Sequence, residues 1–195
     1  MNKQIIKIVG AIGTTFLLAG IGYKQIFHKS NNIVVTESKI FSYQPERDKQ
    51  EILDIFKKNW YWLIASRENY DPDFIEFLLD NRTPSKEEQR YYGKLVLKVL
   101  RENNEFIGFT AYYMKNFFIG QILFVAVRSE FRGKGYAQKL MQHAINDLKQ
   151  QGATSINLLT RTTNETAQKL YKRLGFQVMQ EDNGFVYFEL KNIVP

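Results

Sequence analysis

The sequence predicts an α/β domain: a mixed central sheet of about seven strands flanked by helices, preceded by an N-terminal hydrophobic helix. Three observations lead there. After residue 30, apolar runs of strand length alternate with stripes of helical spacing. The run Ile122, Leu123, Phe124, Val125, Ala126, Val127 is continuous, as in a strand covered on both faces. It is followed by a glycine-rich turn, a helix and another strand, a unit that places its two strands parallel. At the other end of the chain, Ile8 to Tyr23 carries no charge and is flanked by lysines on both sides.

Residues 1–30 form a hydrophobic segment of their own, and 31–195 the globular domain. At about 1.5 Å per helical residue the uncharged run is short for a bilayer core of about 30 Å. Ile5, Ile6, Ile26 and Phe27, with Lys7 and Lys24 snorkelling, extend it to spanning length over 5–27. A single-pass membrane anchor is the first reading. A cleaved signal peptide, with Gly20 and Gly22 as its small residues, and a helix packed on the domain stand beside it. Flanking charges lean slightly towards an inside N-terminus. The cytosolic placement of the domain expected here rests instead on the supply of the cofactor named below.

Net charge is +7, but residues 1–30 hold Lys3, Lys7, Lys24 and Lys29 and no acid. The rest carries 23 basic and 20 acidic groups, a balance that does not make a nucleic-acid footprint. The absence of cysteine excludes disulfides, thiolate metal sites and cysteine catalysis. His28 and His143 are the only histidines, so a histidine metal centre is not expected, and His143 reads as a helix-surface residue.

In order, Ile33 to Tyr43 reads as the first strand. Gln44-Pro45-Glu46-Arg47-Asp48 breaks it and opens a helix with acids in its first turn. Ile52, Leu53, Ile55, Phe56, Trp60, Leu63 and Ile64 are that helix's stripe. Asp71-Pro72-Asp73 starts a second helix, ended by 81–85, and the region 70–92 reads either as a substrate wall or as a solvated surface. Lys94 to Arg101 alternates, with Leu95, Leu97 and Val99 on one face. Glu102-Asn103-Asn104-Glu105 is a hairpin turn, Phe106 to Met114 the next strand, Lys115-Asn116 another turn, and Phe117 to Val127 the central strand. Ala137, Leu140, Met141, Ala144, Ile145 and Leu148 define the following helix, stopped at Gly152. Thr154 to Thr160 is a strand and Thr166 to Leu174 a helix. Phe176 to Gln180 and Phe185 to Leu190 are strands joined through Asp182-Asn183-Gly184.

Between the central strand and its helix lie Arg132, Gly133, Lys134 and Gly135. A helix start carries free N–H groups and the positive end of the dipole, and glycines let phosphates approach the backbone. Arg132 and Lys134 add positive charge. The local physics is that of a phosphate or pyrophosphate seat. Arg132-Gly133-Lys134-Gly135-Tyr136-Ala137 also resembles the Arg/Gln-x-x-Gly-x-Gly/Ala signature of the GNAT superfamily of N-acetyltransferases. Asn164, Ala167, Leu170, Tyr171, Gly175 and Phe176 resemble its second hallmark, Asn-x-x-Ala-x-x-Leu-Tyr-x-x-x-Gly-Phe. Asn164 and Tyr171 are seven residues apart, about two helical turns, so both can face one cleft. The resemblance covers 33–191 in layout and is specific over 122–176.

The resemblance implies acetyl transfer from acetyl-CoA to a primary amine, without a metal. It implies a pyrophosphate on the amides of Gly133 to Ala137 and a pantetheine arm paired with the backbone of Val125 and Val127. Amides near Ala126 would polarise the thioester oxygen, Asn164 would hydrogen-bond the pantetheine region, and Tyr171 would protonate the leaving thiolate. No glutamate lies on the central strand, where some family members carry their base; Glu102, Glu105 or a water chain remain for that role. The acceptor is left open between a small amine and a protein. A non-catalytic CoA-binding module tethered to a membrane is the alternative.

Overall fold

Leu95, Leu97 and Val99 bury one shared face of a strand, as their alternation predicts, and helices cover it. The structure, a computed structural model, describes residues 37–64, 69–80 and 94–191. The elements are β1 (Lys39–Ser42), α1 (Pro45–Leu63), α2 (Pro72–Asp80), β2 (Val96–Glu102), β3 (Glu105–Met114) and β4 (Ile119–Val127). They continue with α3 (Tyr136–Gln150), β5 (Ser155–Arg161), α4 (Glu165–Arg173), β6 (Gln177–Asp182) and β7 (Phe185–Lys191). The expected hydrophobic segment 1–30 and residues 81–93 lie outside the described residues. Among the described residues no helix is long and apolar enough to cross a membrane.

The seven strands form one mixed sheet in the order β1-β2-β3-β4-β5-β7-β6. All neighbours are antiparallel except β4 and β5, the pair joined through α3. One face packs on α1 and α2 through Ile52, Phe56, Trp60, Ile75 and Leu79. The opposite face packs on α3 and α4 through Met141, Ala144, Leu148, Leu170 and Tyr171. Both stripes are the ones the spacing predicts.

Local chemistry sets the ends of the elements. Asn103 and Asn104, at φ 50° and 66°, close the β2–β3 hairpin, and Asn183-Gly184, at 49° and 80°, close the β6–β7 hairpin. Asn116 Oδ1 accepts from the N–H of Phe118 and of Ile119, so Phe117 and Phe118 belong to the turn and not to the central strand. The fully buried Asp48 carboxylate accepts from Gln44 N–H at 2.8 Å, Arg47 Nε at 2.7 Å and Arg101 Nη2 at 2.6 Å. It ties the start of α1 to the β2–β3 hairpin.

His143 departs from its expected surface place. It is half-buried on α3, its Nε2 is enclosed without a partner, and burial holds its pKa below the usual histidine value. On the same helix Asp147 accepts from the Tyr112 hydroxyl of β3 at 2.5 Å.

Candidate functional site

β4 and β5 face each other in register only at Ile119–Ser155, Gly120–Ile156 and Gln121–Asn157. Both strands then continue, β4 to Val127 and β5 to Arg161, without pairing again. The cause lies in β4. Between the pairs Ile122–Tyr112 and Phe124–Ala111, Leu123 is an extra residue with no partner on β3. A bulge of this kind bends its strand and increases the local twist. The parallel pair therefore opens into a V at the position the bulge selects.

The V exposes backbone. Arg128 N–H donates to Ile107 C=O at 2.9 Å. By the alternation of antiparallel pairing, Ala126 also turns its N–H and C=O to β3, while Val125 and Val127 turn theirs towards the opening. The β4 amides that face the opening are thus those of Val125 and Val127, while that of Ala126 itself is turned to β3. Gly108 lets the β3–β4 pair close: a Cβ there would lie 2.2 Å from the Ala126 carbonyl oxygen.

At the wide end of the V, a single 3-10 turn at Ser129–Phe131 leads into α3. Gly133 and Gly135 hold φ of 79° and 81°, the left-handed region that glycine adopts freely. A Cβ at either would meet nothing within 4 Å, so the space over the loop is clear. The first backbone bond of α3 at this end runs from Lys139 N–H to Gly135 C=O, leaving the amides ahead of it turned outward. A phosphate group fits this chemistry, since outward amides and a dipole end face an open space.

The side chains around the loop are arranged differently from the sequence expectation. Arg132 folds back: its Nε donates to Val127 C=O at 3.1 Å and its Nη2 to Asn59 Oδ1 at 2.7 Å. It ties the loop to α1 at the point where Asn59, at φ −128°, kinks that helix, and it occupies one of the two carbonyls expected to receive the pantetheine arm. Arg128 pairs with Glu51 and Glu130. Lys139 holds Ser38 O and Oγ. Lys134, 5.4 Å from the Phe131 ring centre, has no carboxylate or hydrogen-bond partner among the described residues. Tyr136 turns its hydroxyl to the Glu102 carboxylate, 3.1 Å from each oxygen. Its side chain is thus turned away from the expected phosphate seat. Glu102 and Glu105 face each other at the β2–β3 hairpin, and Glu102 is held there by Tyr136.

Asn164 is the N-cap of α4, accepting from Ala167 N–H at 3.3 Å. Tyr171 is buried, 7% exposed, between Phe176 and Phe188, with ring centres 6.1 Å and 5.6 Å away. No hydrogen bond from the described residues reaches its hydroxyl, and desolvation pushes its pKa up to about 12. Burial thus strengthens the phenol's hold on its proton. Among the described residues no group of carboxylates and histidines is placed to hold a metal.

Two features escaped the sequence reading. Arg161, at the end of β5, donates to Tyr61 C=O at 2.6 Å and Ile64 C=O at 3.1 Å and stacks on the Tyr61 ring. It caps the end of α1 and ties it to the splayed strand. A cavity also lies at the foot of the V, lined by Gln121, Asn157 and Glu189 among others. The alternation of β5 and β7 carried that signal, but only the pairing of the two strands brings the residues together.

Fold and site together define an α/β protein with a split sheet, whose two parallel strands part beside an open, glycine-rich helix start. Residues 49–176 match the model of the acetyltransferase (GNAT) family, about two thirds of the chain, and the chain belongs to that family. Among curated relatives it is similar to the uncharacterised N-acetyltransferase YhfO of Bacillus subtilis (strain 168), 36% identical over 48% of this chain and 64% of that protein. It is also similar to the [ribosomal protein bS18]-alanine N-acetyltransferase of Haemophilus ducreyi, 42% identical over 27% of this chain and 36% of that one. The chain thus spans less than two thirds of either relative. Among solved structures, yncA of Salmonella typhimurium with its cofactor acetyl-CoA superposes with a TM-score of 0.62 at 17% identity, covering 80% of this chain and 94% of that one. The paia N-acetyltransferase of Thermoplasma acidophilum in complex with coenzyme A gives 0.60 at 19% identity, covering 80% and 99%. At these identities the likeness is one of fold.

Proposed function

We propose that this protein transfers an acetyl group from acetyl-CoA to a primary amine. The observation that carries the reading is the V between β4 and β5, with outward amides at its wide end and a buried phenol on its α4 side. Acetyl-CoA supplies the acetyl group as an activated thioester. The amides of Gly133 to Ala137 hold its pyrophosphate, with Lys134 as counter-charge. The backbone of Val125, and of Val127 once Arg132 yields its carbonyl, pairs with the pantetheine amides as an added strand. Asn164 is read as a further contact to that arm, through the amide nitrogen its capping bond leaves over. Val125 N–H faces the opening and is placed to polarise the thioester oxygen. Tyr171 holds the proton that the departing thiolate needs, and its desolvated site keeps that proton in place until then. No metal enters the scheme. The acceptor is an amine on a small molecule or a protein.

Residues 5–27 are read as a membrane anchor, supported by the uncharged run Ile8 to Tyr23, with the domain on the cytosolic side where acetyl-CoA is made available. Fractionation of the full chain tests this: recovery in the membrane pellet after alkaline wash is expected, and recovery in the supernatant contradicts it.

The activity is tested by following thiol release from acetyl-CoA with the full-length protein and a panel of amines. Amine-dependent release is expected. Tight acetyl-CoA binding with no release on any amine contradicts catalysis and leaves a CoA-binding module.

A further inference from the structure

On the far side of the sheet from Tyr171, where β4 and β5 begin to part, lies the cavity of about 380 Å³. Gln121, Asn157, Glu189 and Gln177 are register partners across β4, β5, β7 and β6, so they share one face. Phe188, which packs on the Tyr171 ring, points to the other face of β7. The phenol and this polar row thus stand on opposite faces of the sheet, close to where β4 and β5 part.

Two atoms in this row ask for donors. Asn157 Oδ1 is enclosed and has no hydrogen-bond partner, an uncommon state for a buried acceptor and one that a ligand N–H relieves. Glu189, its register partner, has a side chain 17% exposed and is the one carboxylate among the residues lining the cavity. Leu159, Met179 and Tyr187 supply an apolar wall beside them. The titratable groups facing Glu189 are Lys191, paired with it at 3.2 Å, and Tyr187 on β7, and Lys115 across the cavity at the β3–β4 turn. Gln121, Asn157 and Gln177 carry no charge.

The geometry points to Glu189 as the catalytic carboxylate on the acceptor side, holding, with Asn157 Oδ1, a primary amine on an aliphatic stem. The inference rests on the acetyl-transfer reading. Glu189 takes one proton from the ammonium, and the neutral nitrogen forms a C–N bond to the thioester carbon. The C–S bond breaks, the thiolate takes the proton of Tyr171, and the second proton lost by nitrogen passes through solvent to restore the phenol. The proton on Glu189 leaves to bulk water, so one proton is released per turnover.

The test uses the full-length protein, n-butylamine as acceptor and Glu189→Gln. Acetyl-CoA affinity by calorimetry is expected to be unchanged. Turnover at neutral pH is expected to fall by about 100-fold or more. It should recover as pH approaches the pKa of the free amine, about 10.4 for an alkylammonium like lysine. Wild-type turnover in the variant, or a loss equal at every pH, overturns the proposal. Saturation-transfer NMR of n-butylamine on the same two proteins separates this from failure of the acetyl-transfer reading. Glu189-dependent amine binding in a protein without turnover supports the pocket and removes the reaction. No Glu189-dependent binding overturns the pocket, whatever the turnover.

Discussion

Gln121 and Asn157 are the last residues of β4 and β5 to face each other in register, and the bulge at Leu123 comes within two positions of them. The opening of the sheet is thus set by one extra residue in one strand. Tyr171 on α4 and the Glu189 side chain on β7 stand on opposite faces of the sheet.

Gly135→Glu tests the phosphate seat. Gly135 is the N-cap of α3 at φ 81°, so any L-residue there carries strain of about 1–2 kcal/mol. Its Cβ would nevertheless meet open space, and the fold is expected to survive with a small drop in Tm. The carboxylate would face bound phosphate, and calorimetry should show acetyl-CoA affinity lost. Unchanged affinity would remove the loop from the site.

Tyr171→Phe tests the proton donor. The hydroxyl has no described partner, so its removal should leave Tm and acetyl-CoA affinity close to wild type while turnover falls about 100-fold or more. The pH dependence has a definite sign. The folded pKa of about 12 lies above the ordinary 10.0, so stability from this group is intact below pH 10 and fades as pH rises towards 12. In activity, no loss traceable to the phenol is expected between pH 6 and 10. A rate limb near pH 8 that disappears in Tyr171→Phe would contradict the burial argument.

Asp48 carries the link between α1 and the β2–β3 hairpin. Burial alone would raise its pKa, but hydrogen bonds from Arg47, the Gln44 N–H and Arg101 outweigh this and hold it below the usual carboxylate value. Its contribution is therefore present above the ordinary 3.8 and lost as pH falls below it. Asp48→Ala leaves Arg101 buried without its partner and should cost about 3–5 kcal/mol by urea denaturation. A change below 1 kcal/mol would show that solvent replaces the carboxylate.

Gly108→Ala should act on the site from a distance. The new Cβ would press on the Ala126 carbonyl at 2.2 Å, and backbone must move. Because Ala126 lies between Val125 and Val127, the expected outcome is a lowered Tm together with weaker acetyl-CoA binding. A lowered Tm with binding intact would place the cofactor elsewhere than along β4.

Much of this fold is legible in the residues. The six-residue apolar run over 122–127, the stripe from Ala137 to Leu148 and the Asn-Gly turn at 183–184 are local signals, and each forms what its spacing predicts. The insertion of β7 between β5 and β6 depends on pairing between distant strands, which no local pattern encodes. The bulge at Leu123 is silent because a continuous apolar run hides a change of face. At the site, glycines and outward amides follow from the loop motif. The engagement of Arg132 by Val127 and Asn59 does not, because Asn59 is 73 residues away and reaches the loop only in the folded chain. The same holds for Glu189, whose register partners Asn157 and Gln177 stand on two other strands.

A crystal structure of the full chain with acetyl-CoA bears most immediately on the split-sheet site. The pyrophosphate is expected on the amides of Gly133 to Ala137, the pantetheine arm against Val125, and the thioester sulfur within hydrogen-bond reach of the Tyr171 hydroxyl. A cofactor bound outside the V, or a sulfur out of reach of that hydroxyl, would contradict acetyl transfer by this site.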